Sequence, residues 1–381
     1  MTKIYFLFHS GAFWPSWASF WEAADKDPEV ENRMIFCPVK RQGKGLSGQF
    51  IGAENFLVEK GIPYTHIDDI DFATDKPDYL VMQTPYDNWH RFEKHHSGSL
   101  KEYGMKLIYI SYGLEFTNTE NANYDHFKRD FFSNMWKIFS YSDEICEDYR
   151  TIGHLSNAVC LGHPKFDALC KAKEHGLPYL VKKRAGRKKV LVWHPHFPCL
   201  YSTSDTGEAL ISTFPWKENT IVLDYLLERE DIFTVFMPHH MFFGAFMSKF
   251  DVDFTAALDF QRKIQKSKHM MLWNGDYPEL ITNCDAYIGE RSALTMEASA
   301  FDAPMCYMES NKEQYNSFGQ SVLEQSTYAT KAEDVIQFVE SLNFSQALND
   351  QKISHREKYF DKYFDEKCGL RILEFIKNNK E

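Results

Sequence analysis

Short apolar runs rich in β-branched and aromatic residues alternate along this chain with longer segments whose apolar positions return every three or four residues. That alternation predicts parallel strands joined by covering helices, since a parallel crossover needs a helix-length connection. Expected strands in the first half are Lys3 to Phe8, Arg33 to Pro38, Tyr64 to Ile67, Tyr79 to Gln83, Lys106 to Ser111, Trp136 to Ser140 and Ala158 to Leu161. Trp17 to Ala24, Gly48 to Lys60, Asp125 to Asn134 and Ser142 to Ile152 carry the helical period.

The alternation restarts after a basic run, Lys182 to Lys189. Strands are expected at Lys189 to Trp193, Ile232 to Met237, Met270 to Trp273, Ala286 to Gly289 and Met305 to Met308. Helices are expected at Glu218 to Glu230, Tyr277 to Asn283 and Ala293 to Phe301. A second series of β/α units predicts a second domain of the same type, so the fold class is α/β, with two Rossmann-like domains facing a central cleft. The expected domains are residues 1–178 on the acceptor side and 188–350 on the nucleotide-donor side, with 354–381 as an amphipathic helix returning across the junction. The basic run is read as a solvated hinge, with lipid or polymer contact as the alternative.

Length agrees with two cores, because 381 residues exceed what one core usually holds. No window approaches the roughly 20 apolar residues of a membrane span, and Met1 to Phe8 enters a strand without a secretory leader pattern. A cytoplasmic protein is expected, with peripheral contact at the inner membrane face as its alternative site. The formal charge of -11 argues against a nucleic-acid partner. Cys37, Cys146, Cys160, Cys170, Cys199, Cys284, Cys306 and Cys368 stand singly, without metal-ligand spacing, so reduced thiols are expected and no metal or cofactor.

The chemistry is expected where strands end. Between the strand Ala286 to Gly289 and the helix that follows it, Glu290, Arg291, Ser292, Ala293 and Leu294 form a turn suited to a diphosphate. Glu297, one turn on, is placed to accept from ribose hydroxyls. His194 and His196 end one strand and His239 and His240 another, where an imidazole can meet a phosphate. His90, His95 and His96, in a polar loop after a strand, are read as solvent-facing, with the acceptor as the alternative. A transferase also needs a base beside the acceptor hydroxyl. His9, Asp87 and Glu115 follow the first, fourth and fifth strands and are the candidates, His9 first.

Lys106 to Thr117, Leu161 to Leu169, Val190 to Phe197, Phe233 to His240 and Tyr287 to Pro304 resemble, in order and spacing, the CDP-glycerol glycerophosphotransferase family, enzymes of teichoic-acid-like polymers with the GT-B fold. The resemblance matches that family's G-x-P-R-x-D run to Gly162, Pro164, Lys165 and Asp167. It matches the donor-phosphate histidine to His239, and the phosphate-gripping turn with its acidic partner to Glu290 to Ala293 and Glu297. Where the family carries its catalytic histidine, this chain reads Ser111-Tyr112-Gly113. The segment MEASAFDAP also resembles the glutamate-bearing helix of sugar-nucleotide glycosyltransferases.

The resemblance implies transfer of a polyol phosphate from a nucleotide-activated donor, CDP-linked first, to a glycan or lipid-linked acceptor in cell-envelope polysaccharide synthesis. A GT-B glycosyltransferase using a CMP-, UDP- or GDP-linked sugar, a nucleotide-sugar 2-epimerase and a non-catalytic nucleotide-binding subunit are the alternatives.

Overall fold

The computed structural model describes residues 1–39, 52–198, 200–202, 209–211, 213–250, 252–309, 314–343 and 350–379. Cys199 and the start of the expected helix Gly48 to Lys60 lie outside the described residues. The chain divides into two compact units, one of Met1–Glu115, Glu120–Cys170 and Asp361–Glu381, the other of Phe116–Thr119 and Lys171–Phe360.

The first unit contains β1 (Thr2–Phe8), β2 (Val30–Phe36), β3 (Tyr64–His66), β4 (Tyr79–Met82), β5 (Lys106–Ile110), β6 (Met135–Ser140) and β7 (Ala158–Cys160). They form a 7-stranded sheet in the order β3-β2-β1-β4-β5-β6-β7, parallel throughout. The chain winds outward from β1 in one direction and then from β4 in the other. The C-terminal ends of β1 and β4 are therefore the switch point, where such sheets leave a crevice for ligands. β1 reads as an unbroken apolar run because both faces are covered: Ile4 to Phe8 are all fully buried.

The C-terminal segment was expected as one helix and forms two, Asp350–Tyr359 in the second unit and Cys368–Asn378 in the first. The break has a local cause. The Asp167 carboxylate accepts the N–H groups of Cys368 (3.0 Å) and Gly369 (2.9 Å) and fixes a new helix start. Ile372, Leu373 and Ile376 then close the core formed by β1, β2 and the helix Ala18–Lys26.

Two glycines make this packing possible. Gly162 sits at φ +80, and a Cβ there would lie 2.7 Å from the Tyr363 ring. A Cβ on Gly369 would lie 2.3 Å from the Ser19 carbonyl carbon, which is backbone and cannot step aside. Gly369→Ala is therefore expected to cost about 1–3 kcal/mol, the range for overpacking, read as a lower midpoint in urea unfolding.

The second unit contains β8 (Lys189–His194), β9 (Leu200–Ser202), β10 (Ala209–Ile211), β11 (Ile232–Phe236), β12 (Met270–Leu272), β13 (Ala286–Gly289), β14 (Met305–Met308) and β15 (Thr327–Ala329). Its 6-stranded sheet runs β12-β11-β8-β13-β14-β15 and is parallel, and β9 and β10 form a separate antiparallel pair. The winding is again of the doubly wound type, with its switch point between β8 and β13. The core packs Trp193, Phe236, Phe242 and Phe260 against Leu223 and Val335. The basic run read as a hinge is instead ordered: the helix Tyr179–Ala185 buries Val181 and Ala185, and Lys189 opens β8.

Candidate functional site

In the second unit the switch point is occupied by His194 and Ser292. His194 ends β8 beside Gly289 of β13. Its Nδ1–H donates to the Met237 carbonyl (2.6 Å), so Nε2 accepts from the Ser292 hydroxyl (3.0 Å). Ser292 Oγ in turn accepts the N–H of Leu294 (3.2 Å) and caps the helix Ala293–Ala298. Burial lowers the His194 imidazole to about 4. His239 falls to about 3 through burial and then His240, and His196 falls well below its ordinary value through burial and then His239. These rings are neutral at pH 7. His239 is arranged as a neutral donor: its Nδ1 accepts the Met241 N–H (3.2 Å), which leaves the proton on Nε2.

The imidazoles do gather. The His196 and His239 rings lie 4.7 Å apart with Phe197 at 4.3 and 4.5 Å from them, and the His240 ring lies tilted against His239 at 4.2 Å. His240 is exposed and His196, His239 and Arg291 are half-buried. Glu290 and Glu297, expected to face a nucleotide, are instead fully buried. Glu290 accepts from the Thr213 hydroxyl (3.0 Å) and the Phe214 N–H (3.4 Å), tying the segment that returns from β10 to the switch point. Burial raises its carboxyl to about 8 against these hydrogen bonds. Glu297 meets the Tyr277 hydroxyl, whose own proton is held tightly by burial and by that carboxylate.

In the first unit the three candidate bases are separated by their surroundings. His9 is buried with both nitrogens engaged: Nδ1–H donates to the Cys37 carbonyl (2.7 Å), and Nε2 accepts from the Arg91 guanidinium (3.0 Å). Burial and then Arg91 hold its basicity well below normal. Both ring nitrogens of His9, the first candidate from the sequence, are thus engaged within the first unit, and neither is open to a substrate proton in this arrangement.

Asp87 is no better placed. It pairs with Arg91 (2.8 Å) and accepts the Ser97 N–H (3.1 Å) and hydroxyl (2.6 Å) at the start of the helix Ser97–Glu102. His95, read as solvent-facing, is buried, and His90 is half-buried with Nδ1 2.9 Å from the Thr84 hydroxyl.

Glu115 remains. It follows β5 and is buried, and burial raises its carboxyl to about 7, with the Ser111 hydrogen bond opposing the rise. Ser111 Oγ contacts both Glu115 Oε1 and the Gly113 carbonyl (2.5 Å). One hydroxyl proton cannot serve both acceptors. A protonated Glu115 that donates to Ser111 Oγ frees the serine proton for Gly113, so both contacts are satisfied in the neutral state. His163 holds the segment from the other side, its Nε2–H donating to the Ser111 carbonyl (2.7 Å). Tyr112 stands where the resembled family has its histidine, and its hydroxyl is bonded to that of Tyr86 (2.7 Å).

Sequence reading missed Gln83 and Arg91, the residues that organise this edge. Gln83 directly follows β4 and holds the turn after β1, accepting the N–H groups of His9 (2.7 Å) and Ser10 (2.9 Å) and donating to the Ser10 carbonyl (3.0 Å). The Asp87 to Arg91 spacing of four was a readable signal for the ion pair. Gln83 closed the expected strand Tyr79 to Gln83, but no sequence signal gave its role in holding the turn after β1.

No protein-family profile matches the chain, and no curated protein matches it in sequence. Solved structures do match its fold. MnaA of S. aureus, solved with UDP, superposes with a TM-score of 0.63 at 13% identity over 99% of this chain and 96% of its own. UDP-GlcNAc 2-epimerase from Neisseria meningitidis, bound to UDP-GlcNAc, gives 0.64 at 10% identity over 99% and 100%. The wall teichoic acid polymerase TagF gives 0.58 at 13% identity over 100% and 89%. The fold is GT-B, two Rossmann-like domains in one chain, and these neighbours are enzymes.

Proposed function

We propose that this chain is an enzyme acting on a nucleoside-diphosphate-linked sugar, held by its nucleotide in the second unit, and that it inverts the sugar at C2. The observation that carries the reading is Glu115, a carboxyl buried at the C-terminal edge of the first sheet against the Ser111 hydroxyl, which burial pushes up to about 7. Inversion at a carbon bearing hydrogen removes a proton and returns one to the opposite face. It therefore needs a group that takes and gives protons near neutrality. The nucleotide half rests on the β8/β13 switch point, where His239, beside the Ser292 turn, keeps an Nε2–H to offer a diphosphate and a ribose hydroxyl would replace the Tyr277 phenol at Glu297. Neighbours carrying UDP or UDP-GlcNAc support the same class of ligand.

A second reading is transfer of a polyol phosphate from a CDP-linked donor, favoured by the ordered motifs Gly162 to Asp167, Met237 to His240 and Glu290 to Glu297 and by the fold of the teichoic acid polymerase. Incubation with UDP-GlcNAc in deuterium oxide separates the two. Epimerisation gives both C2 epimers with deuterium at C2 and the nucleotide still attached. Release of CMP from CDP-glycerol, only with a glycan acceptor and without exchange at C2 of any nucleotide sugar, would replace the first reading with the second. Ser292→Ala is expected to weaken UDP binding by about 1–2 kcal/mol in calorimetry through loss of one hydroxyl at the turn.

A further inference from the structure

The basic run at the start of the second unit stands apart from the nucleotide turn, and the fold adds further cations to it. In the helix Tyr179–Ala185 only Val181 and Ala185 turn inward. The outer face carries Lys182, Lys183 and Arg184, and Arg187 is exposed in the turn that follows. Arg184 donates to the carbonyls of Ser267 (3.1 Å) and Met270 (3.0 Å), and Lys188 meets His269 (2.6 Å). These contacts bring the exposed Lys266 and Lys268 alongside. Acidic side chains beside the run are Asp285, paired with Lys189 (2.7 Å), Glu230, 3.9 Å from His269, and Asp231, which is paired with Arg229 (2.7 Å); none of them pairs with Lys182, Lys183 or Arg187 among the described residues.

Tyr179 and Leu180, which begin the helix, are 77% and 50% exposed. At three- and four-residue spacing they lie beside Lys182, Lys183 and Arg184 on the same face. A protein of net charge -11 thus carries a cluster of cations edged by an exposed tyrosine and leucine.

We infer that this face docks on an anionic lipid bilayer. Each Lys or Arg near such a surface adds a comparable electrostatic increment, and the tyrosine and leucine give the apolar depth that a purely polyanionic partner would not use. No helix among the described residues is long and apolar enough to cross a membrane, so the contact proposed is interfacial.

The test is co-sedimentation of the full chain with vesicles of phosphatidylcholine alone and of phosphatidylcholine mixed with phosphatidylglycerol. Binding is expected only to the mixed vesicles and should fall as ionic strength rises, since screening shortens the reach of each charge. Lys182→Ala/Lys183→Ala/Arg187→Ala should lower partitioning about a hundredfold. Tyr179→Ser/Leu180→Ser should lower it about tenfold. All five side chains are exposed, so both variants should melt as the parent does, which separates lost docking from lost folding. Equal binding to both vesicle types, or binding unchanged in the triple variant, overturns the inference. Retention on heparin without vesicle binding also overturns it, assigning the face to a soluble polyanion.

Discussion

Replacing Glu115 by glutamine is expected to lower turnover by about 10²- to 10⁴-fold, the usual loss when a general acid or base is removed, while UDP binding in calorimetry stays at the parental value. The amide keeps the size of the side chain and a hydrogen bond to Ser111 but can neither take nor give a proton. The parental rate should therefore show an inflection near 7, the value to which burial raises this carboxyl, and that inflection should vanish from the residual activity of the variant. Stability gives an independent reading. The folded protein holds the Glu115 proton up to about 7, whereas the unfolded chain releases it near 4.5. Stability on this account is full below 4.5 and falls as pH rises through 7. The glutamine variant should lose less stability than the parent between pH 5 and pH 8. Full turnover in Glu115→Gln would remove the proposed chemistry from the first unit, and unchanged pH dependence would mean that another group titrates.

The second large effect is expected at Arg91. Its guanidinium is fully buried and joins His9 (3.0 Å), the Thr84 hydroxyl (3.2 Å) and carbonyl (2.7 Å) and Asp87 (2.8 Å), with the Phe131 ring 5.6 Å away. Arg91→Leu would leave Asp87 without its counter-charge and Thr84 and His9 without their donor. Removing one partner of a buried ion pair typically costs about 3–5 kcal/mol, and the melting temperature should drop by roughly 10 °C. His9→Ala belongs to the same network and should behave alike on a smaller scale: about 1–3 kcal/mol of stability lost with the buried hydrogen bonds, and turnover per folded molecule retained. A His9→Ala protein that is stable but inactive would assign the base role to His9. A stable Arg91→Leu would show that the turn after β1 is held by Gln83 alone.

The parallel-sheet pattern was legible in the sequence because strands buried on both faces are continuous apolar runs. The expected strands around β1, β4, β5, β8, β11, β13 and β14 fall on observed ones to within a residue or two. The short edge strand β15 was not readable: Thr327 and Tyr328 are exposed and only Ala329 is buried. The helix Tyr179–Ala185 was hidden in its basic run, because two inward residues are too few to set a period.

For the candidate site, the sequence by itself placed titratable and polar residues at strand ends, since local pattern fixes where each strand stops. It could not rank them, because protonation and access depend on contacts between residues far apart in the chain. His9 lost its basic nitrogen to Arg91, 82 positions away. Glu290 was turned inward by Thr213, 77 positions away. His194 was set against Ser292 across 98. Burial, which raises Glu115 to about 7, is a property of the packed unit and of no segment of it. Sheet order and the position of the switch points were likewise decided only when the strands paired, because apolar periodicity says that a segment is a strand and nothing of its neighbour.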